Sequence, residues 1–283
     1  MRFVLPLLVC CAAGCGTEPP ASAGPPAAPA EPVKPSAFAP SECGTVTGVV
    51  SWAGPVPHVP PATRNVFRTI GSGVETFPVP LARAPHIDPA SRGFGGVIVS
   101  LRGVDPARAK PWDHPSASVV LEGEQIAVKQ GERTGRTGFV RRGEEVSFVS
   151  RESNFRALRL RGAAFGSLPF PDAEKPLSRA FDAHGLVELT SASGSYWQAA
   201  ELFVCDHPYY AVSAPDGRFT FTGVPAGEYT LAAWHPNWQV DRVERYPETG
   251  LPWRYEYAAP VETTRRVFVA PGRVVLANAS LPK

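Results

Sequence analysis

The sequence predicts an all-β protein built from two β-sandwich domains, and three observations carry that prediction. The chain holds 32 prolines and 26 glycines in 283 residues, too many for helices, which proline breaks and glycine weakens. Short runs of β-branched and aromatic residues recur at regular spacing, each bounded by turn residues. Helical periodicity is nearly absent, with room for a turn or two at 105–111 and 173–181. The length accommodates about two domains at ~100–150 residues each.

The strands are predicted in order from Cys43. "GTVTGVVSWAG" and "GGVIVSLRG" come first, followed by "SASVVLEGEQIAVKQG" and "GEEVSFVSRE". In "FRALRLRG", Leu158 and Leu160 face one way and Arg159 and Arg161 the other, as alternation requires. "HGLVELTS" and "YWQAAELFVC" follow, then "YYAVSA", "GRFTFTG", "GEYTLAAW", "RRVFVA" and "RVVLANASL". Asp216-Gly217, between two such runs, predicts a hairpin turn, because glycine accepts positive φ and aspartate tolerates it.

The N-terminus reads MRFVLPLLVCCAAGCGTEPP. Its apolar run from Phe3 to Cys11 is shorter than the ~20 residues a bilayer span needs, and fits a cleaved export signal over 1–14. Ala12-Ala13-Gly14-Cys15 resembles the lipobox of bacterial lipoproteins, with alanine at 12 where leucine is commoner. The resemblance implies lipid on Cys15, a membrane anchor and a place in the cell envelope; the alternative is a signal peptide without an anchor. Residues 15–42 are rich in Pro and Ala and carry almost no large apolar side chains, so they are expected to stay extended as a tether. At ~3.1 Å per residue it reaches about 80 Å. The formal charge of +2 gives no reason to expect nucleic acid or an acidic polymer as partner.

The stretch "SAPDGRFTFTGVPAGEYTLAAWHP" resembles the second half of a carboxypeptidase-regulatory-like (transthyretin-like, carbohydrate-binding-like) sandwich, on Asp216, Gly217, Phe219, Val224, Pro225, Gly227 and Tyr229. The first half of that pattern is met in "GTVTGVVSWAG" and "GVIVSLRG", about a hundred residues earlier. Residues 112–205 resemble a Greek-key cupredoxin, with Gly143, Val146 and Phe148 on one strand-pair pattern and Gly185, Val187 and Leu189 on the next. The expected organisation is therefore a cupredoxin-like domain at 112–205, nested in or next to a regulatory-like sandwich of 43–111 and 206–283. That order resembles bacterial envelope proteins of the planctomycete type.

Cupredoxins hold copper with two His, one Cys and usually a Met. Here no imidazole stands in "NFRALRL", and the later slots fall on Ser191 or Ala192, Gly194 or Ser195, and Gln198. Blue copper needs a thiolate and two imidazoles converging on one ion, so no metal or other cofactor is expected. Cys205 and His207 could share a strand face, but two ligands are too few. His207 is expected to tie the inter-domain turn through its ring N–H groups, and His58, His86, His114, His184 and His235 to be solvated or hydrogen-bonded. Cys43 and Cys205 sit at element ends; an oxidising compartment would favour a disulfide between them, and two free buried thiols are the alternative.

No nucleophile elbow, metalloprotease helix, phosphate-binding glycine loop or Cys-x-x-Cys pair is present in the mature chain, so a non-catalytic protein is expected. All seven tyrosines, with Trp197, Trp234, Trp238 and Trp253, lie at or after position 196. The segment "WHPNWQVDRVERYPETGLPWRYEYAAP" reads as a long connection. Its Trp234, Trp238, Trp253 and Tyr255 are candidate contacts for a carbohydrate or an envelope-protein partner, the alternative being that they cover the seam between the sandwiches. The expected task is binding or scaffolding at the envelope, with a cupredoxin-type electron carrier as the alternative.

Overall fold

The strand Cys43–Trp52 alternates buried and partly exposed positions along its length, the period of two expected where one sheet face packs on a core. The computed structural model describes residues 38–67 and 74–282; the expected export signal, Cys15 and most of the expected tether lie outside the described residues. This first strand pairs antiparallel with Arg218–Pro225, Val46 opposite Phe221, and parallel with both Val274–Leu276 and Ala279–Leu281. A second sheet runs Tyr210–Val212, Ile98–Arg102, Gly227–His235, Val261–Val269. The inner faces of these two sheets meet in a core that includes Val46, Val50, Phe94, Leu101, Phe219 and Leu231. Gly48 is required there: a Cβ on it would stand 2.3 Å from the Ala277 carbonyl oxygen, closer than any side chain permits.

The strands between Ala117 and Cys205 form a second sandwich. One sheet runs Leu177–Ala180, Glu145–Ser150, Ala117–Glu122, Gln125–Gln130, Arg133–Gly135; the other runs Thr137–Arg141, Ala199–Cys205, Gly185–Ser191, Arg156–Gly162, Gly166–Phe170. Val119, Leu121, Val146, Phe148, Leu158, Leu160, Leu189 and Leu202 make its core. Each such side chain contributes about 1.5–3 kcal/mol by leaving water. The protein is thus all-β and composed of β-sandwiches.

Three local expectations are corrected. The Asp216-Gly217 turn forms, with Gly217 at φ +83°, but it is no hairpin: Tyr210–Val212 joins Ile98–Arg102 in one sheet and Arg218–Pro225 joins the first strand in the other. The Val50 N–H donates to the Gly217 carbonyl at 2.8 Å, so the turn is captured by the first strand. Within 173–181, Leu177–Ala180 is an edge strand rather than a helical turn; at 105–109 a turn does form, its N–H groups from Arg108 and Ala109 donating to Asp105.

The aromatic segment is the third correction. It is a two-stranded arm, Val240–Arg245 paired with Pro252–Tyr257, rising between the paired strands Gly227–His235 and Val261–Val269. Alternation in "WRYEY" suits a ribbon with two unlike faces. Asn237 clamps its base, donating to the Ala259 carbonyl at 2.8 Å and accepting the Gln239 N–H at 3.0 Å.

Candidate functional site

The arm overhangs the outer face of the sheet containing Arg156–Gly162 and Gly185–Ser191, and the space between them is a cleft of about 430 Å³. Leu158 and Leu160 point into the core, which turns Arg159 and Arg161 outward into the cleft. Across the strands Arg159 stands opposite Thr190, Arg161 opposite Glu188, and Glu188 opposite Glu201. Tyr196, Tyr246, Trp253, Tyr255 and Tyr257 supply the aromatic lining. Tyr196 meets Tyr255 edge-on at 4.9 Å, and Tyr246 lies 6.2 Å from Trp253. The Tyr196 hydroxyl donates to the Thr63 carbonyl. Burial pushes the Tyr255 phenol up to about 12. A further hollow of about 520 Å³ shares Gly194, Tyr196 and Tyr246 with the cleft.

Beneath the arm lies a buried cluster of charge. Arg83 Nη2 donates to Glu188 Oε1 at 3.0 Å, its Nε is 3.8 Å from Glu201 Oε1, and its guanidinium covers the Tyr257 ring at 4.5 Å. Glu201 is fully enclosed, and Arg136 Nη1 approaches it at 3.9 Å. Neither Glu201 oxygen has a direct hydrogen bond among the described residues, so there the carboxylate is balanced by the charge of two arginines. Arg136 Nη2 is 3.3 Å from His235 Nε2. Burial, and then Arg136, drive the His235 imidazole down to about 3, so it is neutral and accepts at Nε2. Burial likewise pushes the Tyr257 phenol up to about 12.

The slots that the cupredoxin resemblance assigns to copper ligands lie at this end of the sheet. Gln198 is buried, its Oε1 accepting from Arg156 Nη2 at 2.7 Å and its Nε2 donating to the Gly123 carbonyl at 3.0 Å. The Ser191 hydroxyl accepts the Ser193 and Ser195 N–H groups at 3.3 Å, so a serine-built turn occupies the loop. Among the described residues no three His, Cys, Asp or Glu side chains gather where they could hold a metal ion.

The thiols are separate. Cys43 Sγ donates to the Ala39 carbonyl and Cys205 Sγ to the Phe203 carbonyl, each at 3.2 Å, and both are free and buried. This corrects the disulfide expectation in favour of its alternative: Cys43 opens a strand of one sheet and Cys205 ends a strand of another. Burial drives the Cys205 thiol up. His207 accepts the Tyr209 N–H at Nδ1 and stacks on Tyr210 at 5.3 Å; burial lowers it to about 4. The expected ring N–H on the turn comes from His114, whose Nε2 donates to the Pro208 carbonyl at 2.8 Å, while His207 serves the turn as an acceptor.

Of the four nominated aromatics, Trp253 and Tyr255 line the cleft. Trp234 instead meets Phe203 edge-on at 5.4 Å across the seam. Trp238 is in the core, 5.3 Å from Trp52, because the chain turns inward at the arm's base. Sequence reasoning did not nominate Tyr196, Tyr257, Arg83, Arg136 or Glu201 for a site. The Leu-Arg alternation in "FRALRLRG" was a signal for Arg159 and Arg161; nothing local marks Arg83.

Fold and cleft together define a β-sandwich protein with an arginine- and tyrosine-lined groove. The family model for polysaccharide lyase family 4, domain II, matches residues 181–246, a stretch that runs from one sandwich across the seam into the arm. No curated protein matches the chain. Among solved structures, an oxidised amicyanin variant is similar at 14% identity and TM-score 0.26, over 38% of this chain and 98% of that one. A purple cupredoxin from Nitrosopumilus maritimus is similar at 11% identity and TM-score 0.26, over 32% of this chain and all of that one. The reduced form of a further amicyanin variant stands at 14% identity and TM-score 0.26, over 38% and 98%.

Proposed function

We propose that this chain is a non-catalytic carbohydrate-binding protein of the cell envelope, anchored by lipid on Cys15, with the cleft under the arm as its binding site. The observation that carries the reading is the aromatic lining. Tyr196, Tyr246, Trp253 and Tyr255 surround one concave space with charged groups interleaved, and aromatic faces stack on the C–H faces of sugar rings while polar groups take the hydroxyls. The match to a domain of polysaccharide lyases supports the same class of ligand. A binding role fits the acids present: Glu188 is held by Arg83, and Glu256 by Arg242 and Arg254, so they serve as counter-charges. The proline-rich tether would hold the cleft away from the membrane surface.

The test is a glycan array probed with the full chain and with Trp253→Ala. Binding to a defined glycan set, weakened at least about tenfold in Trp253→Ala, is expected from the loss of one stacking face. A blank array, or a variant indistinguishable from the parent, overturns the reading. Substituting Cys15→Ala should move the protein from the membrane fraction to the soluble one.

A further inference from the structure

Two guanidinium groups in the cleft have no carboxylate partner among the described residues. Arg159 and Arg161 project from the same face of Arg156–Gly162 and both line the cleft. The acid facing Arg161 across the strands, Glu188, is taken by Arg83 at 3.0 Å. Arg83 is in turn fixed by Glu201 and the Tyr257 ring, so Glu188 stays with it. Arg254, the fourth arginine of the lining, has its own partners in Glu244 and Glu256. Asp241 is the lining acid left without an arginine, and it is exposed on the arm. Arg159 and Arg161 therefore bring two positive charges without ion-pair partners to a groove walled by Tyr246 and Trp253, and Asp241 offsets only one of them. Same-face positions on a strand are about 6.6 Å apart, roughly the span of one sugar residue.

We infer that the cleft takes an acidic saccharide, its anionic group held by Arg159 and Arg161 and its ring lying on the Tyr246–Trp253 wall. This rests on the carbohydrate reading above and narrows it to a ligand class. Guanidinium is suited to the task because its planar fork donates two parallel hydrogen bonds to a carboxylate or sulfate. A near-neutral total charge does not oppose it, since attraction in a cleft is set by the charges lining it. The anion can be the carboxylate of a uronic acid or a sulfate ester; both present the same oxygens to the arginines.

Calorimetric titration of the full chain with three tetrasaccharides tests the inference: a uronic-acid oligomer, its carboxyl-reduced neutral counterpart, and a sulfated neutral oligomer. At least one anionic oligomer is expected to bind at least about tenfold more tightly than the neutral one, with affinity falling as salt rises. Which anionic oligomer binds identifies the source of the charge. The double variant Arg159→Gln/Arg161→Gln should lose at least about tenfold while unfolding at the parent's midpoint, and Arg159→Lys/Arg161→Lys should recover part of the loss. If the double Gln variant does not fold, the exposed single variant Arg161→Gln carries the same comparison. Neutral and anionic oligomers binding alike overturns the acidic class and leaves the carbohydrate reading standing. So does a positive glycan array with none of the three bound. A blank array overturns both.

Discussion

Arg83 Nη2 sits 3.0 Å from Glu188 Oε1, and this one pair decides which arginines of the cleft are left without a counter-ion. It withdraws from Arg161 the acid that strand register places beside it. The same guanidinium reaches inward toward Glu201, whose carboxylate has no contact with solvent. Arg83 thus connects the groove to the buried cluster beneath.

Arg83→Met is expected to destabilise the protein by roughly 3–5 kcal/mol, because it leaves Glu201 buried with only Arg136 at 3.9 Å to balance it. Removing the acid as well, in Arg83→Met/Glu201→Gln, should restore much of the loss. Denaturant unfolding measures both, and a loss below about 1 kcal/mol in the single variant would show that the cluster is not held by charge.

Acid should weaken the fold through two histidines. His235 and His207 are held down to about 3 and about 4, below the ordinary ~6.5. Above pH ~6.5 both states are neutral and these groups make no difference. As pH falls below it, the unfolded chain takes up protons that the folded state refuses, so stability declines until the folded values are reached. By pH 4.5 the loss through His235 is on the order of 3 kcal/mol. Unfolding midpoints between pH 7 and 4.5 should fall for the parent and fall less for His235→Gln; parallel curves would count against the assignment.

Thiol chemistry separates the two cysteines from each other and from copper. Unreduced, denatured protein should show both Cys43 and Cys205 as alkylatable. In the folded state Cys205 should resist alkylation, since its thiol is enclosed and held protonated and only the thiolate reacts. Titration with Cu²⁺ should give no intense thiolate-to-copper band. A protected, non-alkylatable pair, or such a band, would contradict the geometry of the seam.

Trp238 and Trp253 should respond oppositely. Trp238→Ala opens a cavity against Trp52 and is expected to cost about 3–5 kcal/mol. Trp253→Ala should change stability by no more than about 1 kcal/mol and act on ligand binding. Comparable losses of stability in both would remove the distinction between core and cleft.

The fold class was readable because each strand reports its own burial. Leu158 and Leu160 enclosed, with Arg159 and Arg161 turned out, is a pattern written in four consecutive residues. The arm was misread as a loop because its proline, glycine and charge content outweighed the alternation in "WRYEY". Trp238 was misassigned because composition does not say which way a ring turns at the base of a ribbon.

By itself, the sequence determined an all-β chain of sandwiches and the two-faced character of the strand that carries Arg159 and Arg161. Alternation at a period of two is local and survives in any register. Only the tertiary structure decided that Arg83 would meet Glu188 and Glu201, more than a hundred residues away. It also decided that an arm from one sandwich would roof the sheet of another. Register between distant strands is set by packing of the whole core, and a shift of one residue would send every side chain to the opposite face.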